Sequence, residues 1–171
     1  MGISARLRTI AELVTPGFRA ADIGTDHGYV PIYLLRKEIS PFVIAADLSP
    51  GSLEKARENA ERAGFLIEDR KDTETKICEN GIVCRLSDGL SEFIPGEVDS
   101  IILSGMGGIL MNRILRDGAD VVQSAKELIL SPHRDVDLIR AYAEENGFEI
   151  LEDLKLLDKK KQYAILKIRV N

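Results

Sequence analysis

The chain has 171 residues, 44% hydrophobic and 30% charged, which suits one domain with a substantial core and argues against a disordered chain. No apolar run approaches the ~20 residues that a membrane-spanning helix needs, and no signal-peptide pattern opens the sequence. Cys78 and Cys84 make no disulfide framework and have no partners at zinc spacing, so they read as reduced residues of a metal-free cytoplasmic protein, while a net charge of −5 leaves any RNA partner to a local basic face.

Ile3 to Val14 sets Ile3, Leu7, Ile10, Ala11 and Val14 at helical spacing behind Ser4 as N-cap, and Pro16-Gly17 ends it. Arg19 to Ile23 reads as a short strand and Tyr29 to Lys37 as a helix. Phe42 to Ala46 is apolar without alternation, as expected of a parallel strand covered on both faces. Gly51 to Gly64 is a charged amphipathic helix with Gly64 as its stop. Glu68 to Glu79 is dense in charge and predicts a solvent-exposed loop or excursion. Ile82 to Leu86 and Asp99 to Ser104 are strands, Ile109 to Arg116 and Asp120 to Lys126 helical stretches, and Glu127 to Ser131 a fifth strand. Val136 to Asn146 is a helix stopped by Gly147, and two long strands, Glu149 to Leu157 and Tyr163 to Val170, flank a Lys159-Lys160-Lys161 turn. Five strand–helix units and a hairpin predict an α/β, Rossmann-like fold over residues 1–171. Its sheet is mostly parallel and seven-stranded, with helices on both faces and an antiparallel pair at or near one edge.

Ligands of open α/β sheets bind outside the C-terminal strand ends. The first strand leads into Asp22-Ile23-Gly24-Thr25-Asp26-His27-Gly28, where Gly24 and Gly28 permit a tight turn beside a ligand and the next helix offers its N–H groups. Asp26 stands where such loops usually want a third glycine, so its charge points to something positive. Asp47-Leu48 follows the second strand; an acid roughly 20 residues beyond a glycine loop suits ribose hydroxyls, although it can also cap the next helix. After the third strand, Asp88 can accept from an amine such as adenine N6 while Gly89 lets a ring approach the backbone; a plain β-turn is the alternative. The G-x-G-x-x-G spacing of a pyrophosphate site is absent. This order of loops suits an adenosyl ligand with an amino-acid tail, and S-adenosylmethionine fits best. The cofactor-binding candidates are Asp22, Gly24, Thr25, Gly28, Asp47, Leu48, Asp88, Gly89 and Gly105.

Asp22-Ile23-Gly24-Thr25-Asp26-His27-Gly28-Tyr29-Val30-Pro31, Ser87-Asp88-Gly89-Leu90 and Ser104-Gly105-Met106-Gly107-Gly108 resemble the signature blocks of the TrmK-type bacterial tRNA (adenine-N1)-methyltransferases, and Ser4 to Ala11 is similar to that family's N-terminal helix. The resemblance covers nearly the whole chain. It implies a class I methyltransferase domain, S-adenosylmethionine as donor, and methylation of N1 of adenine at position 22 of tRNA. It also implies that Asp26 lies beside donor and target base and matters for catalysis. Three departures stand out, one of them the charged stretch from Glu68 to Glu79, which is longer than the family's corresponding link. The family usually adds a C-terminal helical, coiled-coil-like region, whereas this sequence stops after its second hairpin strand. Leu130-Ser131-Pro132-His133 also stands where the family tends to have Q-P-N.

A carboxylate aimed at the base would stabilise the positive charge that adenine gains on N1-methylation, and Asp26 is the candidate catalytic residue; helix capping or a bond to the donor's amino group is its alternative. Substrate-binding candidates are His27, Tyr29 as a stacking or core residue, Met106 as an apolar wall, Gly107, Pro132 and His133 at the rim, and Arg6. Cations available to tRNA are Arg6, Arg8, Arg113, Arg134, Arg140 and Lys159 to Lys161. Two rival readings are a methyltransferase of this fold acting on a small molecule or protein, and a non-catalytic adenosyl-binding module.

Overall fold

A computed structural model describes residues 2–65, 67–69 and 81–171. Among these residues eight strands form one sheet: β1 (Ala20–Ile23), β2 (Phe42–Asp47), β3 (Ile67–Asp69), β4 (Gly81–Leu86), β5 (Ser100–Ser104), β6 (Glu127–Ser131), β7 (Glu149–Asp158) and β8 (Lys161–Arg169). Their order is β3-β4-β2-β1-β5-β6-β8-β7. The first six are parallel, and β8 enters antiparallel between β6 and the edge strand β7. The mostly parallel sheet with a terminal antiparallel hairpin is the expected one. The extra strand is β3, whose Ile67 pairs with Ile82 and packs against the Ala45, Ile82 and Cys84 cluster. Most of the charged stretch from Glu68 to Glu79, and Cys78 with it, lies outside the described residues.

Period-two alternation divides the buried strand residues between two helical layers. Ala21, Ile23, Ile44, Ala46, Ile101, Leu103, Leu128 and Leu130 face the layer of α4 (Gly108–Asp117), α5 (Ala119–Ser124) and α6 (Val136–Glu145). Ala20, Val43, Ala45, Ile102 and Ile129 face α1 (Ala5–Glu12), α2 (Tyr29–Arg36) and α3 (Pro50–Arg62). Helix starts follow local chemistry: the Ser4 hydroxyl accepts from Leu7 N–H, and Ser49 accepts from Ser52 N–H with Pro50 in the first turn of α3.

At the N-terminal ends of the strands the buried acids are paired. Asp99 accepts from the Arg19 backbone and side chain and meets Lys126 Nζ at 3.1 Å. Burial alone would raise its carboxyl, but the hydrogen bonds from Arg19 and Lys126 more than offset that and hold it at about 2. Glu127 accepts from the Thr15 backbone and hydroxyl, with Lys167 Nζ 3.5 Å away. The β7–β8 hairpin turns through Lys159 and Lys160, both at positive φ (48° and 67°), as a two-residue turn requires.

The backbone closes tightly over Gly108, the first residue of α4. A Cβ there would collide with the carbonyl of Asp135 and lie 2.8 Å from that of Arg134. Gly108→Ala should therefore lower stability by roughly 1–3 kcal/mol, read from the denaturant midpoint; an unchanged midpoint would show that the two loops are free to separate.

Candidate functional site

The C-terminal ends of β4, β2, β1, β5 and β6 deliver five loops to one edge of the sheet. From β1 the chain proceeds to β2 on one side, and β5 lies on the other, so the strand order reverses between β1 and β5. A crevice opens at such a point. Gly24 and Met106 stand on its two sides: a Cβ on Gly24 would come 3.3 Å from Met106 Cε.

The loop after β1 is pinned along most of its length. Gly24 and Thr25 N–H both donate to the Ala46 carbonyl at 2.9 Å. Asn59 of α3 donates from Nδ2 to the His27 carbonyl at 2.9 Å. Gly28 adopts φ +69°, and a Cβ there would press on Ala56 at 3.1 Å. His27 itself sits at φ 61°, and its ring stacks on Tyr29 at 5.2 Å with 8° between the planes. Tyr29 thus lies half-buried against His27 rather than inside the core. Asp26, in the middle of this rigid turn, has a side chain 82% exposed, with His27 Nε2 3.4 Å from Oδ1.

Two positions earlier the environment reverses. Asp22 is 4% exposed and lies in register between Ala45 and Ile102 at the centre of the sheet. Burial raises its carboxyl to about 7. The Thr25 hydroxyl draws it partly down, and the charges of Asp47 and Asp26 push it further up. Among the described residues no lysine or arginine pairs with it.

Asp47 closes β2 half-buried. Its Oδ1 accepts Ser49 N–H at 2.8 Å, while Ser49 caps α3, so the second carboxylate oxygen takes no hydrogen bond among the described residues. Leu48 beside it is 66% exposed. Asp88 is exposed after β4, with Arg113 Nη2 3.7 Å from Oδ1. Gly89 is buried beneath Ile114 of α4, 3.0 Å from where its Cβ would be, so a side chain added there would press on that helix.

Two backbone hydrogen bonds zip the loops after β5 and β6 together: His133 N–H to the Met106 carbonyl and Gly108 N–H to the Arg134 carbonyl, both 2.9 Å. Gly105 is exposed, Met106 and Gly107 are half-buried, and Gly107 packs near Arg134 Cγ. Pro132, expected on the rim, is instead buried; His133 and Arg134 are the residues of this loop that reach solvent. Arg6 lies against Tyr163, 4.7 Å from its ring centroid. The cations differ in availability. Arg140 is clamped by Asp137 (2.7 Å) and Asp153 (2.8 Å), and Arg113 faces Asp88. Arg134 and Lys161 are exposed. Sequence reasoning missed Asn59 as the brace of the first loop and Tyr163 as the partner of Arg6, since each acts across a distance of tens of residues.

A doubly wound sheet with a glycine turn at its switch point and acids after three of its strands defines a Rossmann-like site for a nucleoside-type ligand. A family model described as "Methyltransferase domain" matches residues 3–166, and the chain belongs to that family. It is 30% identical over 164 residues to the tRNA (adenine(22)-N(1))-methyltransferase of Bacillus subtilis, covering 96% of this chain and 63% of the relative's length. The crystal structure of the B. subtilis m1A22 tRNA methyltransferase TrmK superposes with a TM-score of 0.86 at 29% identity, over 99% of this chain and 67% of that one. Streptococcus pneumoniae Sp1610 in complex with S-adenosyl-L-methionine superposes equally well, TM-score 0.86 at 31% identity, over 99% and 74%.

Asp22 makes stability depend on pH in a defined direction. Its folded pKa of about 7 exceeds the ordinary 3.8, so between those values the native state holds a proton that the unfolded chain has released. Its contribution to stability therefore falls as pH rises through that window. Asp22→Asn should raise the melting temperature of the ligand-free protein progressively from about pH 4 to pH 7, with the largest gain above 7. A difference independent of pH would contradict an unpaired buried carboxylate.

Proposed function

We propose that this chain is the methyltransferase part of a tRNA (adenine-N1)-methyltransferase that uses S-adenosylmethionine and modifies adenine 22. The observation that carries the reading is Asp26: a solvent-facing carboxylate fixed on a braced turn at the strand-order switch. The B. subtilis relative of that name and the donor complex of the S. pneumoniae neighbour support it.

The residues fit an adenosyl donor. The Gly24 turn leaves space in which, among the described residues, only Met106 comes within 4 Å of a would-be Cβ. Asp47 keeps one carboxylate oxygen for ribose hydroxyls. Leu48 offers an exposed apolar side chain beside it, and Asp88 an exposed acceptor for an exocyclic amine. Asp22, Asp26 and Asp47 raise the negative potential of the crevice together, which suits a cationic ligand. When bound, S-adenosylmethionine supplies an electrophilic methyl group.

The chain's own part in the reaction is orientation and charge. Adenine N1 is neutral before methylation and belongs to a cation afterwards. A carboxylate held near the base favours the charged product-like state, and because Asp26 is already oriented, little reorganisation opposes it. Its counterparts at the other end of the sheet, Asp99 and Glu127, already have cations. Among the described residues Asp26 has only His27 as an ion-pair neighbour.

Asp26→Asn should keep donor affinity near the wild-type value and reduce methyl transfer to unmodified tRNA by about 10²–10³-fold, measured by label incorporation with mapping of N1-methyladenosine. Unchanged turnover would remove Asp26 from the chemistry; donor binding with label only in a small molecule or protein would replace the RNA reading. Donor affinity should also weaken as pH falls below about 7, because a cation must then displace a proton from Asp22; titration calorimetry across pH 6–8 reads this directly.

A further inference from the structure

A second cluster at the same edge of the sheet is not used by methyl transfer. Arg6 lays its guanidinium over the Tyr163 ring at 4.7 Å, and its Nη1 is buried with no acceptor among the described residues. His133 meets the same ring edge-on at 5.9 Å. Burial lowers the His133 pKa, and the nearby charges of Arg6, Lys161 and Arg134 lower it further. Three cations therefore act on one imidazole. Among the described residues none of the three forms an ion pair. Asp158 accepts the Arg6 backbone N–H at 3.4 Å and leaves the guanidinium unpaired.

Like charges gathered around an aromatic ring, one of them with a buried donor lacking an acceptor, cost free energy until an anion arrives. We infer that Arg6, Arg134 and Lys161 form a phosphate-binding station for the backbone of the RNA substrate, with Tyr163 as the plate that fixes the Arg6 guanidinium. This rests on the tRNA reading above and adds where the strand runs: over the start of β8 and the loop after β6. The path to the crevice is short. His133 N–H bonds the Met106 carbonyl, Met106 borders Gly24, and Asp26 is two residues beyond. Arginine suits the task because its planar fork takes two phosphate oxygens at once, and stacking on Tyr163 orders it beforehand.

The test is binding and methylation of an unmodified tRNA transcript by the wild type and by Arg134→Gln and Lys161→Gln, both exposed positions. Arg36→Gln, at the far end of α2, is the control. Each of the two variants should raise the tRNA KM more than it changes kcat. Each should flatten the plot of log Kd against log salt by about one unit per cation removed, while Arg36→Gln leaves the slope as it was. Wild-type KM and slope in both variants, with tRNA still methylated, would overturn the station and leave the proposed function standing. Donor binding without any tRNA binding by the wild type would overturn the RNA reading and the station with it.

Discussion

One carboxylate at the centre of the sheet sets the terms for the rest of the molecule. Asp22 sits on the middle strand between Ala45 and Ile102, with apolar layers on both faces. A charge there is costly unless something pairs with it. The same sheet shows what a purely structural solution looks like: Asp99 and Glu127, at the opposite strand ends, each have a cation and hydrogen-bond donors. Asp22 has two further carboxylates acting on it and, among the described residues, no cation. The fold tolerates this deficit because its burial elsewhere is extensive, and a cationic ligand is the group that would repair it.

Rigidity around the crevice follows from where backbone groups find partners. The carbonyl at the end of β2 takes two N–H groups of the first loop, Asn59 holds its middle, and Ala56 closes on Gly28. Across the crevice the loops after β5 and β6 exchange two hydrogen bonds, and Gly108 lets them approach closely enough to do so. With the backbone fixed on both sides, the position of Asp26 relative to Met106 is decided by the frame. Such preorganisation is what electrostatic assistance of a reaction requires, since a mobile carboxylate would spend its effect on reorienting.

The parts of this structure that were legible in the sequence are those dictated by neighbours in the chain. Ser4 and Ser49 announce helix starts, uninterrupted apolar runs announce β2, β5 and β6, and the acids at strand ends follow from the glycine turn and its spacing. What escaped was decided by tertiary contact. Strand β3 has one apolar residue in three and gains its place from pairing with β4. Pro132 reads as a rim residue until the crossing of loops buries it. Arg140 and Arg134 look alike in sequence; two aspartates consume one and leave the other free.

That difference bears on how a chain of net charge −5 meets a polyanion. The acids that suit a cationic donor and a base turning cationic would repel phosphates, and the cations that attract phosphates would repel the donor. The molecule separates them. Carboxylates occupy the crevice floor and its mouth at Asp22, Asp26 and Asp47, while Arg6, Arg134 and Lys161 gather at its flank around His133 and Tyr163. At physiological salt the field of an exposed charge decays over about 8 Å, so a phosphate seated on the flank feels the cations it touches more than acids farther off. At the other pole Arg19 and Lys126 share the single carboxylate of Asp99, which offsets part of their charge. Local arrangement, and not overall charge, is what gives the proposed RNA substrate one side from which to approach.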